Sequence, residues 1–337
     1  MSAVQADVSV HPASWAPLTA FAAALFAVWW LARGRLSAAI LDHPNPRSLH
    51  ETPIPRTGGL GLHAGALLAV GIIAPNLPVA FWIALVALML VSFLDDIHGI
   101  PPLWRLALHL AACSVFAIAT LAGEYGFLTI AAVALAVAWM ANLYNFMDGA
   151  DGLAGGMTLI GFSFYGATAW LGGSTEFALV NLSIAAAAAA FLVFNFHPAR
   201  IFMGDTGSVP LGFLAAALGV AGWLQGNWAW WFPIVVFSPF IVDASITLAR
   251  RLLLREKVWQ AHRDHYYQRL VRMGWGHRRT ALAEYALMLA SGLLALAALK
   301  LPATELAVLL AAAAAVYLCL VVAIEQAWRK FVSTGGV

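Results

Sequence analysis

Residues 142–156, NLYNFMDGADGLAGG, end a long apolar run and combine Asn, Asp and Gly at regular spacing. Asn142 and Asn145 are three residues apart, so they share one face of the last helical turn. Asp148 and Asp151 follow at the same spacing, each directly before a glycine. Those glycines allow a sharp turn and a close approach of the backbone to a ligand. The segment therefore predicts a helix end that meets water and holds a diphosphate ligand with its metal ion.

The composition around this segment is that of a membrane protein. Of the 337 residues, 62% are hydrophobic and 10% are charged, whereas soluble domains have about 25% charged residues. We expect one all-α transmembrane domain over residues 1–337, in which the first apolar run is a retained span. With about 20 apolar residues per span, the sequence predicts about eleven spans. They lie at 15–33, 58–75, 78–95, 104–122, 127–145, 157–172, 177–195, 208–224, 229–249, 280–299 and 303–326.

The basic residues predict the orientation of these spans. With the N-terminus outside the cytoplasm, only Lys300 falls on the outer side, and the positive-inside rule assigns the other side to the cytoplasm. The C-terminus is then cytoplasmic, as are the loops 34–57, 95–104, 146–156, 196–208 and 250–279. Trp223, Trp228, Trp230 and Trp231 predict an aromatic belt at the outer interface. Cys113 and Cys319 lie in apolar runs and are expected to be buried free thiols.

The acidic residues collect on the same predicted face. Carboxylates that persist in membrane segments usually mark function, and six of them near cytoplasmic helix ends indicate a shared site. They are Asp95, Asp96, Asp148, Asp151, Asp205 and Asp243.

Two of the predicted cytoplasmic loops have more than one interpretation. The loop LDHPNPRSLHETPIPRTGGLG, at 41–61, is either a stiff basic surface loop or a site in which Arg56 and Gly58-Gly59 contact an anionic substrate at a helix N-terminus. The segment SFLDDIHG contains Asp95-Asp96, and adjacent carboxylates repel unless a cation or a proton lies between them. The pair is either a solvated helix end or a site for a metal or a general base.

Two later loops are also polar. In NFHPARIFMGDTGS, at 195–208, Asp205 and its neighbours could simply cap a helix, but capping does not require the preceding Asn195 and Arg200. The basic loop 250–279 contains AHRDHYYQRL, with His262 and His265 three residues apart. It could lie on anionic headgroups or bind a metal, although no further Cys or His completes a zinc set. We favour phosphate contacts from its His and Arg residues.

Together these motifs resemble the polyprenyl-phosphate N-acetylhexosamine-1-phosphate transferases, or glycosyltransferase family four. The resemblance extends from PNPRSLHETPIPRTGGL through SFLDDIHG, NLYNFMDGADGLAGG and NFHPARIFMGDTGS to the histidine loop, in that order. It implies the transfer of an N-acetylhexosamine-1-phosphate from a UDP-sugar to undecaprenyl phosphate, with release of UMP. It also implies Mg²⁺ as the cofactor, with Mn²⁺ as the alternative ion, and the bacterial inner membrane as the location.

The resemblance further implies roles for individual residues. Asp205 would be the main Mg²⁺ ligand, with Asn145 nearby. Asp148 and Asp151 would hold the metal-diphosphate or the uridine, and Phe202 would stack on the uracil. Asp95 and Asp96 would act on the lipid phosphate, with Asp95 a weaker candidate for a base. Further expected contacts come from Arg56, Asn142, Asn195, His262, His265 and Arg263, with His265 preferred over His262 as the match to the family's histidine motif.

Two departures bear on the branch of the family. The peptidoglycan branch has a Lys soon after its Asp pair and consecutive histidines in the late loop. Here the Asp pair is followed by PPLWR, and the late loop reads HRDHYY. The chain is therefore more similar to enzymes that start O-antigen or other surface glycans, on GlcNAc or a 6-deoxy relative.

Three other functions remain as alternatives at this stage. They are the peptidoglycan-branch phospho-MurNAc-pentapeptide transferase, a lipid diphosphate phosphatase and a secondary transporter, although transporters usually bind at the bilayer midplane between repeated halves. No nucleic-acid partner is expected, and a homodimer is compatible with the sequence.

Overall fold

The computed structural model of the chain describes residues 13–34, 40–44, 49, 52–257 and 262–335. The predicted loops 34–57 and 250–279 therefore lie partly outside the described residues. The described helices, in chain order, are α1 Ala16–Arg33, α2 Gly58–Ile73, α3 Val79–His98, α4 Pro102–Leu121, α5 Phe127–Phe146, α6 Leu153–Leu171, α7 Thr175–Asn195, α8 Asp205–Leu224, α9 Phe232–Val236, α10 Ser238–Leu253, α11 Tyr266–Leu270, α12 Gly276–Ala298 and α13 Ala303–Ser333. A π-helical turn, Val271–Trp275, joins α11 to α12.

Proline and glycine set many of the helix boundaries. Pro78, Pro101 and Pro302 stand directly before α3, α4 and α13, where a missing N–H does no harm and the fixed φ suits a helix start. Gly99 follows α3 with φ +70°, a value that L side chains rarely adopt. The connection from α3 to α4 is consequently only three residues long, shorter than the predicted loop 95–104.

The prediction of an all-α, multi-pass membrane protein is confirmed. Among the described residues, eight helices are long and apolar enough to cross a membrane. Each of the other predicted spans also coincides with helix, but α2 has only 16 residues. The predicted span 229–249 is divided between α9 and α10. The count of about eleven spans and their orientation therefore stay predictions.

Two expectations about side-chain burial are wrong. Trp228 and Trp231 pack inside the protein rather than at an outer interface, with only 5% and 9% of their surface exposed. The Trp228 indole N–H donates to Gly219 O at 3.0 Å, and a buried indole needs such a partner. Cys113 is a buried free thiol as expected, but Cys319 is exposed because it lies on α13, which has no buried residue.

The core lies around α7 and α8, the helices with the largest buried share among the candidate spans. Helix α8 packs against both α3 and α5, and α7 packs against α1 and α6. This packing brings the N-terminus of α8 beside the C-terminal ends of α3 and α5. The polar ends of three separate sequence motifs consequently meet at one end of the bundle.

Glycines allow α2 to approach α8 closely. The N–H groups of Gly58 and Gly59 donate to Phe202 O and Met203 O, both at 2.9 Å. A Cβ on Gly59 would lie 2.3 Å from the Gly207 Cα atom. The prediction that Gly58-Gly59 contact an anionic substrate is therefore wrong, because those N–H groups already bind the 202–203 backbone. The short strands β1 Leu41–Asp42 and β2 Ile54–Pro55 pair antiparallel just before α2.

Candidate active site

A cavity of about 950 Å³ opens where these polar helix ends meet. Most of the site residues that the sequence predicts line it. They are Arg56, Asn142, Asn145, Asp148, Asp151, Asn195, Phe202, Asp205, His262 and His265. The cavity unites residues from widely separated parts of the chain, as a shared site requires.

The two adjacent carboxylates at the end of α3 have different partners. Asp95 accepts a hydrogen bond from Arg105 at 2.7 Å. Asp96 accepts hydrogen bonds from the N–H of Asp205 at 3.2 Å and the N–H of Thr206 at 2.9 Å. A carboxylate at a helix N-terminus satisfies free N–H groups and complements the helix dipole. Asp96 thus holds the start of α8 in place, and Arg56 pairs with Asp96 from the other side.

Asp205 does not cap its own helix. The N-cap position of α8 is Gly204, with φ +73°, and a Cβ there would lie 2.3 Å from Arg56 O. The Asp205 carboxylate accepts hydrogen bonds from Arg105 Nη1 at 2.9 Å and Asn145 Nδ2 at 3.1 Å. Because Asp96 supplies the cap, Asp205 is left to face the cavity.

The donor set around Asp205 fits a magnesium ion. Carboxylate and amide oxygens are hard ligands of the kind that Mg²⁺ prefers. Asp95 and Asp205 both pair with Arg105, so its positive charge offsets part of the repulsion between the two carboxylates. Asn145 also accepts a hydrogen bond from the Ser208 hydroxyl through Oδ1 at 3.2 Å, which fixes its amide beside Asp205. Asp205, Asn145 and Asp95 are therefore the residues that could hold the ion.

Asp148 lies in the loop after α5 and lines the cavity. Burial, followed by the negative charges of Asp205, Asp96 and Asp42, raises the pKa of Asp148 well above its usual range. Desolvation and like charges both disfavour the ionised carboxyl. A cation bound among these groups would oppose both effects and help the carboxyl to release its proton.

Asp151 is held by two histidines to which the sequence interpretation gave no role. His197 Nδ1 donates to Asp151 Oδ2 at 2.6 Å, and the N–H of Ala199 donates to the same oxygen at 3.1 Å. His277 Nδ1 lies 3.3 Å from Asp151 Oδ1. Burial raises the pKa of Asp151, but the hydrogen bonds from His277, His197 and Ala199 outweigh it, and the net pKa is lowered.

The same three side chains could also hold a metal ion, since their ligand atoms lie within 4.8 Å of one another. Each is already engaged, however. His277 Nδ1 lies 3.1 Å from the backbone nitrogen of Asp151 as well as 3.3 Å from its Oδ1, and His277 Nε2 donates to Leu49 O at 3.1 Å. Asn195 joins this region through its Oδ1, which accepts from the N–H of Gly152 at 3.0 Å. These hydrogen bonds explain the cluster without an ion.

The two histidines of the late loop lie together at the cavity. The rings of His262 and His265 stack with centroids 5.0 Å apart. Burial, followed by the proximity of His265 and Arg251, lowers the pKa of His262 to about 4, so it is neutral near pH 7. Arg263 is the exception among the predicted residues of this loop, because within the described residues it does not line the cavity.

One side of the cavity is apolar. Leu103, Leu106 and Leu110 are spaced by three and four residues and share a face of α4. Leu135 and Trp139 of α5 and Leu248 of α10 complete this wall. Leu103 is 73% exposed and Leu135 is 59% exposed, although large apolar side chains are usually buried. In a membrane protein such side chains face lipid, so the polar centre has an apolar flank beside the bilayer.

Sequence reasoning missed several residues of this site. Arg105 was given no role in the site, yet it joins the carboxylates of Asp95 and Asp205. His197 could have been found from its place two residues after Asn195 in NFHPAR. His277 and Asp42 had no signal in the sequence, because only the fold brings them to the cavity.

Comparison with known proteins identifies one matching family profile and several similar proteins. A family profile described as glycosyl transferase family 4 matches residues 78–223, from the start of α3 nearly to the end of α8. A Bacillus subtilis protein named probable undecaprenyl-phosphate N-acetylglucosaminyl 1-phosphate transferase is 28% identical over 73% of this chain and 73% of its own length. A Mycolicibacterium smegmatis protein named decaprenyl-phosphate N-acetylglucosaminephosphotransferase is 29% identical over 85% of this chain and 82% of its own length.

A third relative covers less of the chain. A Shouchella clausii protein named phospho-N-acetylmuramoyl-pentapeptide-transferase is 33% identical, but over only 47% of this chain and 48% of its own length. The matched profile, the two longer relatives and the motifs around the cavity agree with one another. Over most of its length the chain is similar to polyprenyl-phosphate N-acetylglucosamine-1-phosphate transferases, and its residues 78–223 match the profile of glycosyl transferase family 4.

Proposed function

We propose that the chain transfers an N-acetylhexosamine-1-phosphate from a UDP-sugar to undecaprenyl phosphate and releases UMP. The observation that carries this proposal is the two-sided lining of one cavity. Carboxylates, amides and two arginines form one side, and the leucines of α4 form the other. An amphiphilic acceptor needs both surfaces, one for its phosphate and one for its hydrocarbon chain. A soluble sugar nucleotide alone would not need the apolar flank.

In the proposed reaction, an oxygen of the lipid phosphate forms a bond to the β-phosphorus of the donor. The bond from that phosphorus to the bridging oxygen breaks, and UMP leaves with that oxygen. Phosphoryl transfer depends mainly on positioning and charge neutralisation. A phosphate monoester is mostly a dianion near neutral pH, with a second pKa of about 6. The nucleophile is therefore already ionised, and Asp95 as a base is the weaker hypothesis.

The described residues divide these tasks between them. Arg105 lies on α4 between Leu103 and Leu106, where the apolar flank meets the carboxylates, which suits it to bind the lipid phosphate. Asp205 and Asn145 would hold Mg²⁺, which supplies charge neutralisation on the diphosphate when bound. Asn195 bonds to Gly152 and Ile201, the chain neighbours of Asp151 and Phe202, and we assign the uridine to these two residues.

The donor and the pathway are part of the same proposal. The two longer relatives carry names that specify N-acetylglucosamine, which favours UDP-GlcNAc, with a 6-deoxy relative as the second candidate. The peptidoglycan branch is less well supported, because the relative of that name matches less than half of this chain. We propose the first membrane step of O-antigen or another surface glycan, at the cytoplasmic face of a bacterial inner membrane.

Product analysis tests the reaction and the donor together. Purified protein is incubated with undecaprenyl phosphate, Mg²⁺ and each UDP-N-acetylhexosamine in turn, and the lipid fraction is analysed by mass spectrometry. We expect a lipid-linked sugar diphosphate, formed fastest from UDP-GlcNAc. In a parallel incubation with undecaprenyl diphosphate, release of free phosphate without any new lipid from the donors would instead indicate a lipid diphosphate phosphatase. No new lipid from any donor would contradict the proposed function.

A further inference from the structure

Asp243 is a buried carboxylate that the reaction above does not use. It lies on α10 with 6% of its surface exposed, and it contacts the start of α11 on the late loop. The N–H groups of Tyr266 and Tyr267 donate to Asp243 Oδ1 at 3.0 Å and Oδ2 at 2.9 Å. A buried carboxylate needs such partners, because an unpaired charge in the interior is strongly unfavourable.

Asp243 also contacts a side chain of the cavity. His265 Nδ1 lies 3.1 Å from Asp243 Oδ1, and His265 itself is 4% exposed. An ionised carboxylate can only accept hydrogen bonds, so the Nδ1 atom must carry the proton. The tautomer of a histidine is set in this way by the partner of one ring nitrogen. In the neutral ring, Nε2 is then unprotonated, and it is the nitrogen left for the cavity.

The rest of the loop holds this arrangement in place. The N–H of His265 donates to Gln268 Oε1 at 3.2 Å, and the Tyr267 hydroxyl donates to Phe146 O at 3.0 Å. The His265 ring also stacks on the Phe146 ring, with centroids 6.1 Å apart. Phe146 ends α5, directly after Asn145. The histidine is therefore fixed relative to the proposed metal ligands as well as to its own loop.

We infer that Asp243 is a positioning residue for the transfer reaction, which fixes His265 as the Nδ1–H form and presents its Nε2 atom to the bound substrates as a hydrogen-bond acceptor. This inference rests on the proposed function for the nature of the ligand, but not for the tautomer. Partners of this kind orient a functional imidazole, and their loss in metal sites typically reduces activity by about 10- to 100-fold.

The Asp243→Asn variant tests the inference at nearly constant volume. An amide has one acceptor oxygen and one donor nitrogen. If its oxygen faces His265 and Tyr266, its NH₂ group opposes the N–H of Tyr267. If the amide is flipped, its NH₂ group faces the Nδ1–H of His265, and two donors meet. Thr247→Val is the matched control, because Thr247 donates to the same Oδ1 atom at 3.2 Å but does not touch His265 in any described hydrogen bond.

The readouts are histidine ¹⁵N NMR and steady-state UMP release on the same full-length protein, with His265→Gln used to assign the signal. We expect the wild type and Thr247→Val to show the Nδ1–H tautomer. Asp243→Asn should lose it and lower kcat by about 10-fold or more, with the KM for the donor changed less. The Thr247→Val variant should keep kcat within about twofold of the wild type.

Several results would overturn the inference. One is a wild-type His265 in the Nε2–H form, which can be seen without any Asp243 variant. Another is an equal loss of kcat in Thr247→Val and Asp243→Asn, which would mean that Asp243 only stabilises the loop. A wild type that shows the Nδ1–H form but releases no UMP would contradict the proposed function rather than the placement of His265.

Discussion

Arg105 lies where the polar side and the apolar side of the cavity meet. Its guanidinium contacts Asp95 and Asp205 at 2.7 and 2.9 Å, and its neighbours Leu103 and Leu106 line the apolar flank. An arginine in this position can bind a phosphate through charge-assisted hydrogen bonds. We therefore expect it to carry much of the acceptor binding and transition-state stabilisation.

Replacing Arg105 with Ala should lower kcat for UMP release by about 100-fold or more, the usual effect of removing one donor to a developing charge. Arg200→Ala is a suitable control. The predicted topology assigns Arg200 to a cytoplasmic loop as well, but its side chain donates to Val193 O and stacks on Phe194. Equal activity of the two variants would contradict a role for Arg105 at the acceptor phosphate.

Asp151 gives a prediction for pH. Because its pKa is lowered in the folded protein, its ionised form contributes stability above the pKa of the unfolded chain, about 3.9. That contribution is lost as the pH falls through the folded pKa. Asp151→Asn should therefore lower the Tm by several degrees at pH 7 and by progressively less below about pH 4. Thermal melts of both proteins across this range would measure it, and a pH-independent difference would contradict it.

At the scale of elements, the close approach of α2 and α8 positions Asp205. Gly59 and Gly207 lie at the crossing, and a Cβ on Gly59 would meet backbone atoms of Gly207 at 2.3 and 2.5 Å. Backbone cannot rotate away as a side chain can, so the helices would have to separate. Any such shift moves the first turn of α8, which carries Asp205.

Gly59→Ala should thus destabilise the protein by about 1–3 kcal/mol, as overpacking usually does, and should also reduce UMP release. The same substitution at Gly71, on the same helix, provides the control. A Cβ on Gly71 meets nothing within 4 Å, and Ala is the better helix former by about 1 kcal/mol. Melting temperatures of the two variants should move in opposite directions. If they coincide, the close approach does not hold α8 in place.

The helices themselves were predictable from the sequence, but their packing was not. Apolar runs and their proline or glycine boundaries predicted the ends of α3, α4 and α5 to within three residues. The sequence interpretation took Gly58-Gly59 as an anion site, because a glycine pair that contacts a phosphate and one that contacts another helix look alike along the chain. Likewise, the sequence pattern of Trp228 and Trp231 could not separate an interface belt from a buried cluster.

The site was predictable where one motif carried adjacent functional groups, and not where the fold alone united them. Asn145, Asp148 and Asp205 each stand in a recognisable polar segment, and all three line the cavity. His197 and His277 flank Asp151 from sequence positions far apart, and their rings stack with centroids 5.4 Å apart. Only the packing of α12 beside α6 brings His277 there.

At the scale of the whole molecule, the distribution of charge predicts its orientation. With the N-terminus outside, Lys300 is the one basic residue on the outer side, in the turn between α12 and α13. The cavity then opens at the cytoplasmic end, where nucleotide sugars are made. The orientation is thus a requirement of the proposed function.

Cysteine labelling in intact cells tests this orientation. In a background where Cys113 and Cys319 are replaced by Ala, we expect Lys300→Cys to react with a membrane-impermeant thiol reagent added outside. Arg255→Cys, in the loop after α10, should react only after the cells are opened. The reverse pattern would place the cavity at the outer face and contradict a cytoplasmic active site.

The most direct test of the central claim is UMP release from UDP-GlcNAc by the purified protein. It is measured with and without undecaprenyl phosphate and Mg²⁺, alongside Asp205→Ala and the isosteric Asp205→Asn. The account predicts UMP formation that needs both the lipid and the metal ion and falls by at least about 100-fold in both variants. UMP formation that persists in folded Asp205 variants, or none from a folded wild type with any donor, would contradict the account.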